Sequence, residues 1–79
     1  MSAWVKSSVR LPALAHESEG GHFSDSVLVY DPFIEHPEGM TVRALVETKD
    51  GLRWLDEEGQ YGDLEQFTHW MPLPEPPVA

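Results

Sequence analysis

The chain has no cysteine among its 79 residues. Disulfides, thiolate nucleophiles and cysteine-based zinc sites are therefore excluded together. Positive charge is scarce as well: 5 Lys and Arg stand against 14 Asp and Glu, a formal net charge of −9. A free-standing binder of DNA, RNA or anionic membranes needs clustered cations to displace counterions, so direct nucleic-acid and membrane binding are not expected. No run reaches the ~20 apolar residues of a membrane span. Met1 to Arg10 holds no apolar stretch of signal-peptide length, which predicts a cytoplasmic protein. Also missing are the G-x-S-x-G elbow, the P-loop, the G-x-G-x-x-G turn and the H-E-x-x-H helix, each of which encodes a known site geometry.

What is present reads as one small domain over residues 1–79. A chain of this size buries only about 60–65% of its unfolded surface, so a few large side chains decide whether it folds. Val27-Leu28-Val29-Tyr30 is the clearest strand, apolar throughout and bounded by Ser26 and Asp31-Pro32. A continuous apolar run predicts a central strand covered on both faces. Met40 to Lys49 alternates with period two, and the pattern places Val42, Ala44 and Val46 inward. Asp50-Gly51 then signals a hairpin, with Leu52 to Asp56 as the return strand and Leu52 and Trp54 on one face. Glu57 to Gln60 reads as a second turn, Tyr61 as the start of a short pairing, and Asp63 as the cap of one helical turn over Leu64 to Gln66.

The remaining segments are less regular. Ala3-Trp4-Val5 opens a short extended stretch that stops at Leu11-Pro12. Residues 13–26 are polar, contain Gly20-Gly21 and show poor periodicity, which predicts a loop with a helical turn near Pro12 to Glu17. From Pro72 to Pro77 four prolines fall in six residues, predicting an extended tail over 72–79 that makes no sheet hydrogen bonds and covers a sheet edge. The expected fold is mainly β (or α+β): a small antiparallel sheet of three to four strands, with an extended N-terminus and the proline-rich C-terminal tail packed across it. The expected core is Trp4, Val27, Val29, Trp54 and Trp70, with the three indoles in one cluster.

Three pieces in order carry a resemblance: W-V-K-S-S-V-R-L-P from Trp4 to Pro12, V-L-V-Y-D from Val27 to Asp31, and T-H-W-M-P-L-P-E-P-P from Thr68 to Pro77. A D-G-x-x-W hairpin, Asp50 to Trp54, lies between the last two. The chain resembles the family known as domain of unknown function 551, small proteins of tailed phages, prophages and their bacterial hosts. The string Thr68-His69-Trp70-Met71-Pro72 is the specific part of the likeness. The departure is His16 to Ser26, where such sequences usually have a few residues. The resemblance implies a phage or prophage accessory gene, and hence the host cytoplasm, but no mechanism.

The candidate chemistry is sparse. His16, His22, His36 and His69 lack ligand spacing, so no metal and no cofactor are expected. His69 is expected to bond a backbone carbonyl and fix the tail. Ser7, Ser8, Ser24, Ser26, His69 and Asp56 supply the side chains of a small metal-dependent or serine hydrolase, but not its spacing, and a thin sheet leaves little room for a pocket, so no catalytic residue is assigned. The acidic residues form two groups: Asp56, Glu57, Glu58, Asp63 and Glu65, and Glu17, Glu19 and Asp25. Such groups either keep a small protein soluble or imitate a phosphate backbone before a basic partner. The reading that follows is a non-enzymatic, acidic phage accessory protein, monomer or homodimer, that binds and inhibits or modulates a host protein. An anti-defence, anti-CRISPR-type inhibitor acting as a DNA mimic is its sharpest form. The alternative is a structural or homo-oligomeric module, pairing through Tyr61 or through Thr68 to Met71.

Overall fold

In a computed structural model, which describes residues 3–19, 21–35, 38–74 and 77, the chain forms eight short strands. They are β1 (Val5–Lys6), β2 (His16–Ser18), β3 (Gly21–Phe23), β4 (Val27–Tyr30), β5 (Met40–Thr48), β6 (Gly51–Leu55), β7 (Tyr61–Gly62) and β8 (His69–Pro72), with a 3-10 turn at Leu64–Gln66. All pairings are antiparallel, in the order β1-β8-β4-β5-β3-β2, with β6 joined to β5 and β7 to β6. The class is mainly β as expected, but the strand count exceeds three to four. The difference lies in two- and three-residue strands, too short to show a period in sequence. The N-terminus does not lie across the sheet. It enters the sheet as β1, with Val5 opposite Trp70 and Lys6 opposite His69.

β5 organises the rest because nine residues let it serve two sheet halves. Its first half pairs with β4 (Thr41 opposite Val29, Arg43 opposite Val27), and its second half pairs with β6 (Leu45 opposite Trp54) and meets β3 at Val46–Phe23. β4 is central, held between β5 and β8. The buried core is Val27, Val29, Leu45, Trp54, Phe67 and Trp70, with Val5, Leu11, Leu14, Leu52 and Leu64 packed around it.

Two expectations about this core are corrected. Leu45, not Val42, Ala44 and Val46, faces inward on β5: Leu45 is 1% exposed, and the other three are half-buried on the opposite face. Alternation fixes the period but not its sign, and here the outer face carries more apolar residues than the inner one. Arg43, on the inner face, extends over the Phe67 ring at 5.7 Å, so its stem covers the core that its charge would otherwise interrupt. Trp4 does not join the other two indoles. It is half-buried against Tyr30, ring centroids 6.2 Å apart, and Phe67 fills the expected third place, edge-on to Trp54 at 5.9 Å.

Both core indoles tie irregular chain to the sheet. Trp70 Nε1 donates to the Arg10 carbonyl at 2.7 Å and Trp54 Nε1 to the Leu64 carbonyl at 3.2 Å. Arg10 also lies over the Trp70 ring, 5.9 Å from its centroid.

The turns follow their chemistry with one shift. The β5–β6 turn is Lys49-Asp50, with Thr48 opposite Gly51, so the loop falls one residue before Asp50-Gly51. Lys49 and Asp50 keep negative φ, which rules out a type I′ turn, and Gly51 takes the positive φ of +107°. Glu57 to Gln60 turns as expected, and Tyr61 pairs with Leu55. Asp63 precedes the 3-10 turn but its side chain makes no capping bond; the backbone bond Gln66 N to Asp63 O closes it.

Residues 13–26 are not a loop with a helical turn. They contain the hairpin β2–β3, with His16 opposite Phe23 and Ser18 opposite Gly21. Just after the hairpin the chain is held to β5 through a side-chain splice. Ser24 N donates to Leu45 O, and Ser24 Oγ accepts from Leu45 N, each at 2.8 Å. A hydroxyl thus stands where a backbone carbonyl would continue the ladder. At the C-terminus, Pro72 ends β8 opposite Val27. Leu73 lies beside Pro12, Ala13 and Ala15. The expected tail beyond them lies partly outside the described residues.

Two stability measurements check this account. Ser24→Ala leaves a buried Leu45 N–H without its acceptor and is expected to cost about 1–3 kcal/mol in urea unfolding, with Ser24→Thr recovering part of it. Gly51→Val, forced to positive φ, is expected to lower the thermal midpoint, whereas Lys49→Ala leaves it nearly unchanged.

Candidate functional site

The acidic groups sit at opposite edges of one half of the sheet, in which β2, β3, β5, β6 and β7 lie side by side. At one edge Glu17 lies on β2 with Glu19 directly after it, both exposed. At the other, Glu57 and Glu58 project from the β6–β7 turn, and Glu65 from the 3-10 turn that follows β7. Asp63 is exposed just before that turn.

Their side chains are not equally free. Asp56 closes its own turn, with Oδ1 accepting from Glu58 N at 2.9 Å and Gln60 N at 2.8 Å. Asp56 is therefore partly structural, and Glu57 and Glu58 are the exposed carboxylates of that turn. Asp25 pairs with His16, whose ring stacks on Phe23 at 5.1 Å. His22 bridges two strands, its Nδ1 3.2 Å from Glu47 and its Nε2 4.0 Å from Glu17. The histidines of the hairpin are thus hydrogen-bond partners of carboxylates, which holds Asp25 and Glu47 in place.

Between the two edges the outer face carries an apolar patch, with Arg53 beside it opposite Val46 and, past Arg53, a hollow lined by Thr48, Lys49, Asp50 and Tyr61. Phe23, Ala44, Val46, Leu55 and Tyr61 line an open groove of about 290 Å³, closed at one end by His22 and Glu47. Sequence periodicity assigned this face to the interior, and so hid it.

The other candidates do not converge. Ser24 is buried in its backbone splice. Ser7 and Ser8 line a hollow with Leu11, Leu64, Glu65, Phe67 and Thr68, while His69 lines a different one with Trp4, Tyr30 and Met40. Ser26 lies in a third hollow, with Asp25 and Trp70. His69 does not reach a backbone carbonyl. Its Nδ1 meets Thr68 Oγ1 at 2.8 Å, and its ring stands edge-on to Tyr30 at 6.2 Å. His36 lies outside the described residues, and among the described ones no group of three His, Asp or Glu could hold a metal ion. No helix among them is long and apolar enough to cross a membrane. β8 is not an open edge at His69 and Trp70, which pair with β1 on one side and β4 on the other. The expected self-pairing through Thr68 to Met71 is blocked there, and Tyr61–Gly62 is the edge that remains beside β6.

The profile of the family described as "Protein of unknown function (DUF551)" matches residues 3–78. The chain belongs to this family. No curated protein and no solved structure matches it. Within this DUF551 chain, four residues of the string that carried the resemblance, His69 to Pro72, form β8, and Trp70 is the buried one. The string therefore contributes to the core, and the acidic edges lie outside it.

Because Asp56 holds its turn and Glu57 does not, the two should separate on substitution. Asp56→Ala is expected to lower the thermal midpoint by several degrees, Asp56→Asn by much less, and Glu57→Gln hardly at all.

Proposed function

We propose that the chain is a non-catalytic interaction protein that binds and inhibits or modulates a host protein through a basic, nucleic-acid-binding surface. The observation that supports this most is the pair of carboxylate edges flanking an apolar groove. At ordinary strand spacing the two edges lie about 19 Å apart. A channel built for nucleic acid presents Lys and Arg to rows of phosphates. Two negative rims on a rigid sheet offer such a channel a substitute, and the net charge of −9 speeds the encounter. The apolar floor between them supplies burial that charge alone does not. The serines that would serve a nucleophile line hollows apart from His69 or are engaged with backbone, which favours binding over catalysis. With the family's phage and prophage setting, the fitting target is a host defence complex that handles nucleic acid, in the host cytoplasm.

A structural, homo-oligomeric role is the second reading. It draws on edge strand β7, where Tyr61 is 64% exposed. Light scattering separates the two, since a monomer at micromolar concentration removes self-assembly.

The decisive experiment is a pull-down from host lysate at low and high salt, with wild type and the double variant Glu57→Lys/Glu58→Lys. A basic nuclease or surveillance complex held at low salt, released at high salt and missed by the variant is the expected result. Capture that ignores both salt and charge reversal would overturn the reading.

A further inference from the structure

The half of the sheet away from the acidic edges carries a second, unrelated feature. Strand register sets His69 of β8, Tyr30 of β4 and Met40 of β5 in one row, Tyr30 lying opposite both of the others. Trp4, just before β1, closes the row from above. Together the four side chains line an open hollow of about 290 Å³. The rings are steeply inclined: Trp4 to Tyr30 at 56° and Tyr30 to His69 at 61°, each pair 6.2 Å between centroids. These positions are 4, 30, 40 and 69, and only folding brings them together.

We infer that this hollow is a binding site for a quaternary ammonium group. Inclined rings form a corner whose electron-rich faces suit a compact cation, the arrangement by which aromatic cages hold choline and methylated lysine. A polarizable thioether on the fourth side adds contact without charge. The walls also discriminate among cations. An unmodified ammonium or guanidinium brings three to five N–H donors, and each needs an acceptor once desolvated. His69 Nδ1 is already engaged with Thr68 Oγ1 and the Trp4 indole nitrogen can only donate, so at most the Tyr30 hydroxyl and His69 Nε2 remain as strong acceptors, fewer than three to five N–H donors need. A quaternary nitrogen has no N–H to satisfy. The chain's net charge of −9 draws cations toward its surface without placing a carboxylate in the row. The volume is at the low end for ligand pockets, which fits a head group rather than a whole drug-sized molecule.

The test is a titration of the full chain, followed by the indole and ring signals of Trp4 and Tyr30 in NMR spectra. The probes are choline, its neutral isostere 3,3-dimethylbutan-1-ol, and a short peptide bearing trimethyl-lysine. Choline is expected to bind about ten-fold more tightly than the neutral isostere, the difference that the positive charge makes over these rings. A further gain with the peptide would assign the group to a modified protein, and equal affinity to a free small molecule. Trp4→Leu should abolish the choline shifts, with Trp4→Phe retaining part of them. Met40→Lys, which puts the protein's own cation in the hollow, should do the same while leaving the core amide signals in place. Equal binding of choline and the neutral isostere, no binding of either, or unchanged binding by Met40→Lys would overturn the site. None of these readouts depends on Glu57 or Glu58, so the result is independent of the fate of the acidic edges.

Discussion

Two indole N–H groups, buried in a small core, require acceptors, and the chain is arranged around supplying them. Trp70 takes the Arg10 carbonyl and Trp54 takes the Leu64 carbonyl. Neither acceptor is in a strand. Each bond therefore fastens an irregular segment, the N-terminal turn or the 3-10 turn, over the rings that the strands deliver. An unsatisfied buried donor costs about 1–3 kcal/mol, a large fraction of the stability of a domain this small. Arg10 lies over Trp70 itself, and Arg43 over Phe67, the ring edge-on to Trp54, so each indole cluster is also covered by a cation. The core is thus two aromatic anchors with their own fasteners rather than a deep hydrocarbon interior.

How much of this was legible in sequence depended on whether a residue's role is local. The β4 strand, the β5–β6 hairpin and the Glu57–Gln60 turn follow from short patterns, and all are present. The inward face of β5 was misread because Val42, Ala44 and Val46 outnumber Leu45, while Arg43 hides its packing role behind its charge. The β2–β3 hairpin escaped because its stability comes from His16 on Phe23 and His22 beside Glu47, contacts with no period. The Trp4 hollow was invisible for a different reason: four residues from four segments meet only through register. The two acidic groups could be read as charge runs, but their placement at opposite edges needed the strand order.

The same misreading explains the surface. An antiparallel sheet usually has one dry and one wet face. Here the outer face keeps Phe23, Ala44, Val46 and Leu55 in one groove and Tyr30 and Met40 in another hollow, with the carboxylates at the edges and turns and Arg53 beside the groove. Apolar floor and charged rim is the usual anatomy of a surface that meets another molecule. β8 secures the core through Trp70 while its His69 lines the outer hollow, so one short strand serves fold and surface at once.

The splice at Ser24 has a bearing on how this chain can change. Beyond its own ladder, the β2–β3 hairpin meets β5 at one register pair, Phe23–Val46, and is held there further by the two Ser24–Leu45 bonds and by His22 beside Glu47. An element that hangs on one strand alone is expected to open before the β4–β5–β8 ladder and to exchange its amides first. None of the β4–β5 or β4–β8 register pairs involves residues 16–23, so the hairpin is the part of the sheet whose change disturbs that ladder least.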